Sequence, residues 1–198
     1  MPAFFEKLPQ LHIWDDYLDD YPPHLHNEIE IILCRGGEYA ATCGKETYTL
    51  HENDMIFIFP DVVHAYKATG QTPGTLCFVS PELLPFFAPQ LAMQPRQPFL
   101  MQVDEQTRAL LEKAKACYRN DHDIGSTVGY LYLLFSRVLP QMKLAERAVS
   151  GSDIIPDVLR WLEQHFREDL SLMKIAQHFG FNPEYFSAMF SARLELIL

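Results

Sequence analysis

The chain has 198 residues, of which 48% are hydrophobic and 21% are charged, and its net charge is −10. This composition is ordinary for a globular protein with a core of normal size. No apolar run approaches the roughly 20 residues needed to cross a bilayer, so we expect no membrane contact. The acidity argues against wide, nonspecific binding of nucleic acid.

The N-terminus and the cysteines indicate the cellular compartment. The sequence MPAFFEKLPQ has no basic region followed by an apolar stretch, so it does not resemble a signal peptide. The four cysteines, at positions 34, 43, 77 and 117, show no CxxC spacing. In a chain without an export signal we expect reduced thiols and a cytoplasmic location.

Residues 1–103 are predicted to form an antiparallel barrel or sandwich. Short runs of β-branched and aromatic residues recur at about 8–12-residue spacing, with Gly, Pro, Asn and Asp turn signals between them. The runs are 28–34, 38–43, 46–50, 55–59, 64–68 and 75–80, with a returning strand at 98–103. The proline-rich stretch 80–90 is predicted to be a short helix or lid over one end of the barrel.

Residues 104–142 change to a helical period. Leu110, Leu111 and Ala114 form an apolar stripe on a first helix, and 124–142 is a second helix that is apolar around much of its girth. One face of this second helix can cover the barrel. The other face is either buried within the chain or forms a homodimer interface, and the pattern leaves both readings open. Residues 143–152 are interpreted as a linker.

Residues 153–198 are predicted to be helical and to contain a helix-turn-helix. Ser171 can cap a short helix, and Gly180 makes the turn that follows it. Asn182 then caps a second helix, with Pro183 at its first position, where a missing N–H costs nothing. Two short helices joined through a glycine turn are typical of this motif.

The stretch HLHNEIE, residues 24–30, carries the candidate chemistry. On a β-strand, His24, His26, Glu28 and Glu30 would all point to one face. Two imidazoles and a carboxylate can hold a divalent metal. They could also form the polar lining of a sugar pocket or be an empty relic of an older metal site. Glu28 is interpreted as solvated. The aromatic residues that could stack on a sugar ring, although each is more simply a core residue, are Trp14, Tyr39, Phe57, Phe59 and Tyr66.

The wider pattern around this stretch resembles the cupin barrel. His24-x-His26-x3-Glu30-x6-Gly37 matches the first cupin signature at every spaced position. Pro60 and His64 match the second signature, in which Asn53-Asp54 replaces the usual glycine. By this resemblance the metal ligands are His24, His26, Glu30 and His64. Such a set suits Zn, Ni, Mn or Fe and leaves coordination positions open.

The order of barrel, two helices, linker and helix-turn-helix resembles the AraC family of bacterial transcription regulators. The family pattern is matched at Leu172, Ile175, Ala176, Gly180, Tyr185, Phe186, Ser187 and Phe190. The resemblance implies an α+β chain in which a cupin-like jelly-roll barrel senses a small-molecule effector. It also implies that residues 104–142 hold a homodimer and that the helix from Pro183 enters the major groove of double-stranded DNA. The implied DNA-binding residues are Asn182, Pro183, Glu184, Tyr185, Ser187 and Ala188.

Two departures from the family pattern predict weak DNA binding by this chain alone. The family has two helix-turn-helix units where this sequence has one, so we expect it to be a truncated form. Ala188 stands where the family commonly has an arginine that contacts DNA. Residues 151–198 also carry only four Lys and Arg against seven Asp and Glu.

The leading hypothesis is therefore an effector-responsive transcription regulator, not an enzyme, with a small polar metabolite such as a sugar as effector. The alternative is a cupin metalloenzyme, an isomerase or dioxygenase, with a helical appendage and with Glu28 or Tyr39 as the acid–base group. A third reading is a sensor that captures full-length partners into inactive heterodimers. The helix-turn-helix favours a regulator over an enzyme.

Overall fold

The computed structural model describes residues 4–44, 46–146 and 154–195. Most of the first hundred residues form two five-stranded sheets. In spatial order, the first sheet contains β1 (Phe4–Phe5), β3 (Tyr21–Leu25), β8 (His64–Ala68), β5 (Tyr39–Cys43) and β6 (Glu46–Leu50). The second contains β11 (Phe99–Leu100), β7 (Met55–Ile58), β4 (Ile29–Cys34), β9 (Thr72–Val79) and β2 (Leu11–Leu18). Neighbouring strands are antiparallel except β1 and β3, which pair in parallel.

Strand β4 explains how the two sheets and the helices share a core. All six of its residues are buried, which is expected of a strand covered on both faces. Ile32 and Cys34 pack inside the barrel with residues of the first sheet. Ile29, Ile31 and Leu33 pack on the opposite face with the helices. Since alternate residues share a face, Glu30 lies on the barrel side with Ile32.

Two helices cover the outer face of the second sheet: α2 (Glu105–Ala116) and α3 (Ile124–Val138). Asp104 caps α2 by accepting from the Thr107 N–H at 2.8 Å, and Asp123 caps α3 by accepting from the Ser126 N–H at 2.9 Å. The sheet-facing side of α3 is buried through Leu131, Leu134, Phe135 and Val138, while Leu133 is 55% exposed. At Leu133, the side of α3 that faces away from the sheet is therefore exposed. The sequence pattern left open whether this side is buried within the chain.

The predicted lid at 80–90 is a series of short helical turns. Two tight turns, Pro81–Leu83 and Pro85–Phe87, lead into α1 (Ala88–Leu91). Leu84, Phe87 and Leu91 are buried in the same core as the helices. A two-stranded sheet then joins β10 (Gln94–Pro95) to β12 (Leu144–Ala145), which lies in the predicted linker 143–152. Positions 147–152 of that linker lie outside the described residues.

The C-terminal unit has the predicted two short helices and a preceding one. They are α4 (Ile155–His165), α5 (Leu172–His178) and α6 (Pro183–Glu195). Ser171 caps α5, and Gly180 has a φ of 74°, a left-handed conformation that glycine adopts without strain. Val158, Ala176 and Phe186 form the buried core of the unit.

The sequence-based prediction is wrong in one respect that matters for the site. HLHNEIE is not one strand, because β3 ends at Leu25 and β4 begins at Ile29 in the other sheet. β2 and β3 were also not among the predicted strands. The sequence pattern does not predict these two strands because β2 contains Asp15 and Asp16 and β3 contains two consecutive prolines. Both residue types are depleted in strands.

No helix among the described residues combines the length and the apolar composition needed to cross a bilayer.

Phe135 tests the contact between helices and barrel. Its ring lies 6.1 Å from that of Phe57 and 5.9 Å from that of Phe87, and it is fully buried. We expect Phe135→Ala to lower the free energy of unfolding by about 3–5 kcal/mol, measured by urea denaturation, because a large cavity forms.

The matched control for this substitution is Met101→Ala, at a 71% exposed apolar side chain outside α3. It should change the free energy of unfolding by no more than about 0.5 kcal/mol. Equal effects of the two substitutions would contradict this packing.

Candidate functional site

Four buried polar residues meet inside the barrel. His24 is on β3, His26 lies in the turn to β4, Glu30 is on β4 and His64 begins β8. Each is at most 2% exposed, and one ligand atom from each lies within 4.8 Å of the others. The register of β3 and β8 places His24 opposite His64. The structure thus brings together all four residues of the predicted site, although from both sheets and not from one strand face.

Glu30 is at the centre of this cluster. Its Oε2 accepts a hydrogen bond from the Tyr66 hydroxyl at 2.7 Å, and lies 3.0 Å from His64 Nε2 and 3.4 Å from His26 Nε2. The burial of Glu30 by itself would raise its carboxyl pKa. The hydrogen bonds and positive charge of His26 and His64 outweigh burial and hold the pKa of Glu30 below its usual range.

The three imidazoles are oriented by backbone carbonyls. The Nδ1 atoms of His24, His26 and His64 lie 2.9, 3.0 and 2.7 Å from the carbonyl oxygens of Pro22, Glu28 and Val62. A carbonyl oxygen only accepts, so each Nδ1 carries the proton. In the neutral ring, Nε2 then presents a lone pair to the cluster. Histidine ligands of metals are commonly held in this way.

The chemistry of this donor set fits a divalent metal. With Nδ1 protonated, an Nε2–H contact to Glu30 requires an imidazolium, so the buried carboxylate is neutralised either by an imidazolium or by a metal cation. Burial lowers the pKa of His24 to about 3, so this ring is uncharged at neutral pH. Three imidazole nitrogens and one carboxylate are a suitable ligand set for first-row transition metals.

The cluster forms one wall of a cavity of about 270 Å³. His24 and Glu30 contribute to its surface, and the remaining apolar and aromatic lining comes from Trp14, Tyr17, Leu18, Tyr21, Tyr39, Tyr66, Leu76 and Phe78. Of the aromatic residues singled out in the sequence, Trp14, Tyr39 and Tyr66 line this cavity. Phe57 and Phe59 do not line it and belong to the core shared with the helices.

Several lining residues were missed by the sequence interpretation. Glu6, Asp16 and Asp19 add carboxylates to the cavity, and Tyr21 donates to Glu6 Oε1 at 2.7 Å. Asp16 alternates with Trp14 along β2, so recognising that strand would have found it. Glu28 contributes its backbone carbonyl to His26 and is half-buried, but its side chain is not part of the cluster.

The predicted DNA-binding residues lie at the start of α6. The Asn182 side chain accepts from the N–H groups of Glu184 and Tyr185 at 2.9 and 3.3 Å, so it caps the helix as predicted. Glu184, Tyr185 and Ala188 are exposed and share one side of the helix, whereas Pro183 and Ser187 are half-buried. The exposed group offers an acidic, a phenolic and a methyl side chain, with no positive charge.

A barrel with a lined cavity, followed by helices on one sheet and a helix-turn-helix unit, is the architecture of ligand-sensing regulators. A family model described as the AraC-like ligand binding domain matches residues 10–135. The chain therefore belongs to the AraC family, and both the family and the α+β fold inferred from the sequence are confirmed.

Curated relatives include the HTH-type transcriptional activator RhaS of several Escherichia coli strains, which is 22% identical. The match covers 81% of this chain and 62% of RhaS, so the chain spans less than two thirds of that relative.

Among solved structures, apo ToxT of Vibrio cholerae matches with a TM-score of 0.63 at 9% identity, over 97% of this chain and 80% of ToxT. ToxT bound to an unsaturated fatty acid matches with a TM-score of 0.55 at 8% identity, over 94% of this chain and 76% of ToxT. These likenesses show the fold.

Tyr66 tests the central position of Glu30. Its hydroxyl is buried and donates to a charged acceptor, so Tyr66→Phe should lower the free energy of unfolding by about 1.5–3 kcal/mol in urea denaturation. Tyr17→Phe, at a 56% exposed ring, is the control and should change it by no more than about 0.5 kcal/mol. If Tyr66→Phe leaves the free energy of unfolding unchanged, this hydrogen bond does not stabilise the cluster.

Proposed function

We propose that this chain is the effector-sensing part of a cytoplasmic transcription regulator and that its effector is a small polyhydroxylated metabolite such as a sugar. The observation that carries the proposal is the cavity that opens onto the buried histidine–glutamate cluster. Its imidazole and carboxylate groups accept hydrogen bonds from hydroxyls, and its aromatic rings can pack on the C–H faces of a sugar.

The size and charge of the cavity support a compact polar effector over a lipid. Its volume of about 270 Å³ is just below the range of about 300–1,000 Å³ that is typical of ligand pockets. One ToxT structure holds an unsaturated fatty acid. In the present cavity Glu6, Asp16 and Asp19 would repel the carboxylate of such a ligand.

In the proposed mechanism the effector shifts the balance between two arrangements of a dimer. Such a shift requires only that the effector binds one arrangement more tightly than the other. Leu133 is 55% exposed on the side of α3 that faces away from the sheet, and this apolar side chain supports the predicted homodimer through residues 104–142. The helix-turn-helix units of the dimer would then contact double-stranded DNA.

The alternative, a cupin metalloenzyme, rests on the same cluster, but neither of the two acid–base groups predicted for it fits that role. The Glu28 side chain does not line the cavity. Tyr39 does, but its hydroxyl donates to the Asp19 carbonyl at 2.9 Å, and burial raises its pKa well above the usual range. A sensor needs no such group, so we favour sensing over catalysis.

A screen of monosaccharides tests the proposed effector class. A sugar at ten times its dissociation constant should stabilise the folded state by about 1.4 kcal/mol, measured as a rise in Tm. Trp14→Leu should abolish the rise because it removes an aromatic wall of the cavity. Trp161→Phe, outside the cavity, should leave it intact. If no sugar raises Tm at a concentration of about 100 mM, which is 100 times a millimolar dissociation constant, the effector belongs to another class.

We also propose that His24, His26, Glu30 and His64 hold a divalent metal, namely Zn, Ni, Mn or Fe. The metal would neutralise Glu30 and act as a Lewis acid toward oxygen atoms of the effector. Protein purified without chelator should then contain about one metal per chain by elemental analysis. His26→Ala should lose it, while His51→Ala, at a histidine outside the cluster whose side chain is 57% exposed, should keep it. Metal-free wild-type protein would refute the metal.

DNA binding by this chain alone is expected to be weak. Residues 151–198 are net acidic, and the exposed start of α6 has no basic side chain. A gel shift with DNA from upstream of the gene should show only salt-sensitive, unselective binding, and Ala188→Arg should strengthen it by adding a phosphate contact. Tight, sequence-selective binding by residues 1–198 would contradict this expectation.

A further inference from the structure

The cavity carries negative charge in addition to that of Glu30. Glu6, Asp16 and Asp19 contribute carboxylates to its surface, and no lysine or arginine among the described residues lines it. Asp16 accepts the N–H of Tyr17, and Glu6 accepts the hydroxyl of Tyr21, so two of the three carboxylates are held in place by neutral donors. Neutral donors leave the negative charge uncompensated.

Aromatic rings share this region with the carboxylates. Trp14, Tyr17 and Tyr21 line the same cavity, and Trp14 packs against Phe78 with ring centroids 5.3 Å apart. The faces of aromatic rings carry negative charge density and attract cations, most strongly for tryptophan. Carboxylates and aromatic faces together favour an organic cation over an anion of the same shape.

His24 adds a second indication of a ligand. His24 is 2% exposed and lines the cavity, and its Nδ1 donates to a carbonyl. The described residues give its Nε2 no hydrogen bond, and Glu6 Oε2 lies 3.6 Å from it. A neutral imidazole nitrogen and a carboxylate oxygen are both acceptors, so a donor or a cation is needed between them.

We propose that this cavity selects ligands that carry a protonated amine and that the effector is an amino sugar or a similarly hydroxylated amine. The inference rests on the proposed function, because it assumes that the cavity is the effector site. The ammonium group would lie among Glu6, Asp16 and the ring of Trp14. If a metal occupies Nε2 of His24, the ammonium group contacts Glu6, Asp16 and Trp14 but not this nitrogen.

The charge of the cavity can be measured without knowing the effector. The chain has two tryptophans, so Trp161→Phe leaves Trp14 as the only one, and its fluorescence reports from the cavity wall. Caesium ions and iodide ions quench tryptophan by collision, and a cleft of one sign concentrates the opposite ion. In chelator-treated protein we expect caesium to quench Trp14 several-fold more efficiently than iodide, relative to free tryptophan amide.

Two variants assign the preference to the cavity. Glu6→Gln combined with Asp16→Asn should remove most of the preference for caesium, and added sodium chloride should weaken it. The control combines Glu105→Gln with Glu52→Gln, which removes two exposed acidic groups that do not line the cavity. This control should leave the preference for caesium unchanged. Circular dichroism checks that every variant is folded. Equal quenching by the two ions, or stronger quenching by iodide, would overturn the inference.

A matched set of sugars tests the ligand class directly. Glucosamine, glucose and glucuronate have similar shapes and carry a positive, a neutral and a negative charge. We expect glucosamine to bind at least about tenfold more tightly than glucuronate in calorimetry, with glucose between them. Tighter binding of glucose or glucuronate than of glucosamine would refute the proposed selection of a protonated amine. If none of the three binds, the sugar proposal loses support, whereas the quenching result still decides the charge preference.

Discussion

The closure of the barrel depends on the buried carboxylate of Glu30. Burying an unpaired charge is costly, and this charge is satisfied by groups from the opposite sheet. Tyr66 and His64 both lie on β8 in the first sheet, whereas Glu30 lies on β4 in the second. The two sheets must therefore meet at this point for the carboxylate to be satisfied. Closing the barrel and assembling the site are the same structural event.

Strand β2 links the cavity to the helices in a comparable way. Trp14 and Asp16 face the cavity, while Asp15 between them accepts from Lys115 of α2 at 2.7 and 2.9 Å. Lys115 is 7% exposed, and burial lowers its pKa although Asp15 opposes this. A buried amine of this kind is costly without its carboxylate partner. A displacement of β2 by a ligand would thus act directly on the helix, because it would separate Asp15 from Lys115 and leave Glu112, at 2.8 Å, as the remaining carboxylate partner of this ammonium group.

The sequence identified the four residues of the cluster but not the geometry that joins them. The spacing of His24, His26 and Glu30 matches a cupin signature whatever strands carry it, so the residues that meet in the structure could be named although the single strand was wrong. The pairing of His24 with His64 depends on a register between strands 40 residues apart, which local patterns do not encode. Glu6 was missed for the same reason: it reaches the cavity because the two-residue strand β1 pairs in parallel with β3.

The distribution of charge takes on a different meaning once the cavity is known. The net charge of −10 first argued against broad contact with nucleic acid, and residues 1–100 hold 13 of the 26 acidic residues against only five basic ones. Four of those acidic residues, Glu6, Asp16, Asp19 and Glu30, line one cavity. The acidity of this half is therefore partly a property of a ligand site. A cavity lined by four carboxylates contributes nothing to holding a phosphate backbone, so any contact of this chain with DNA would have to come from other surfaces.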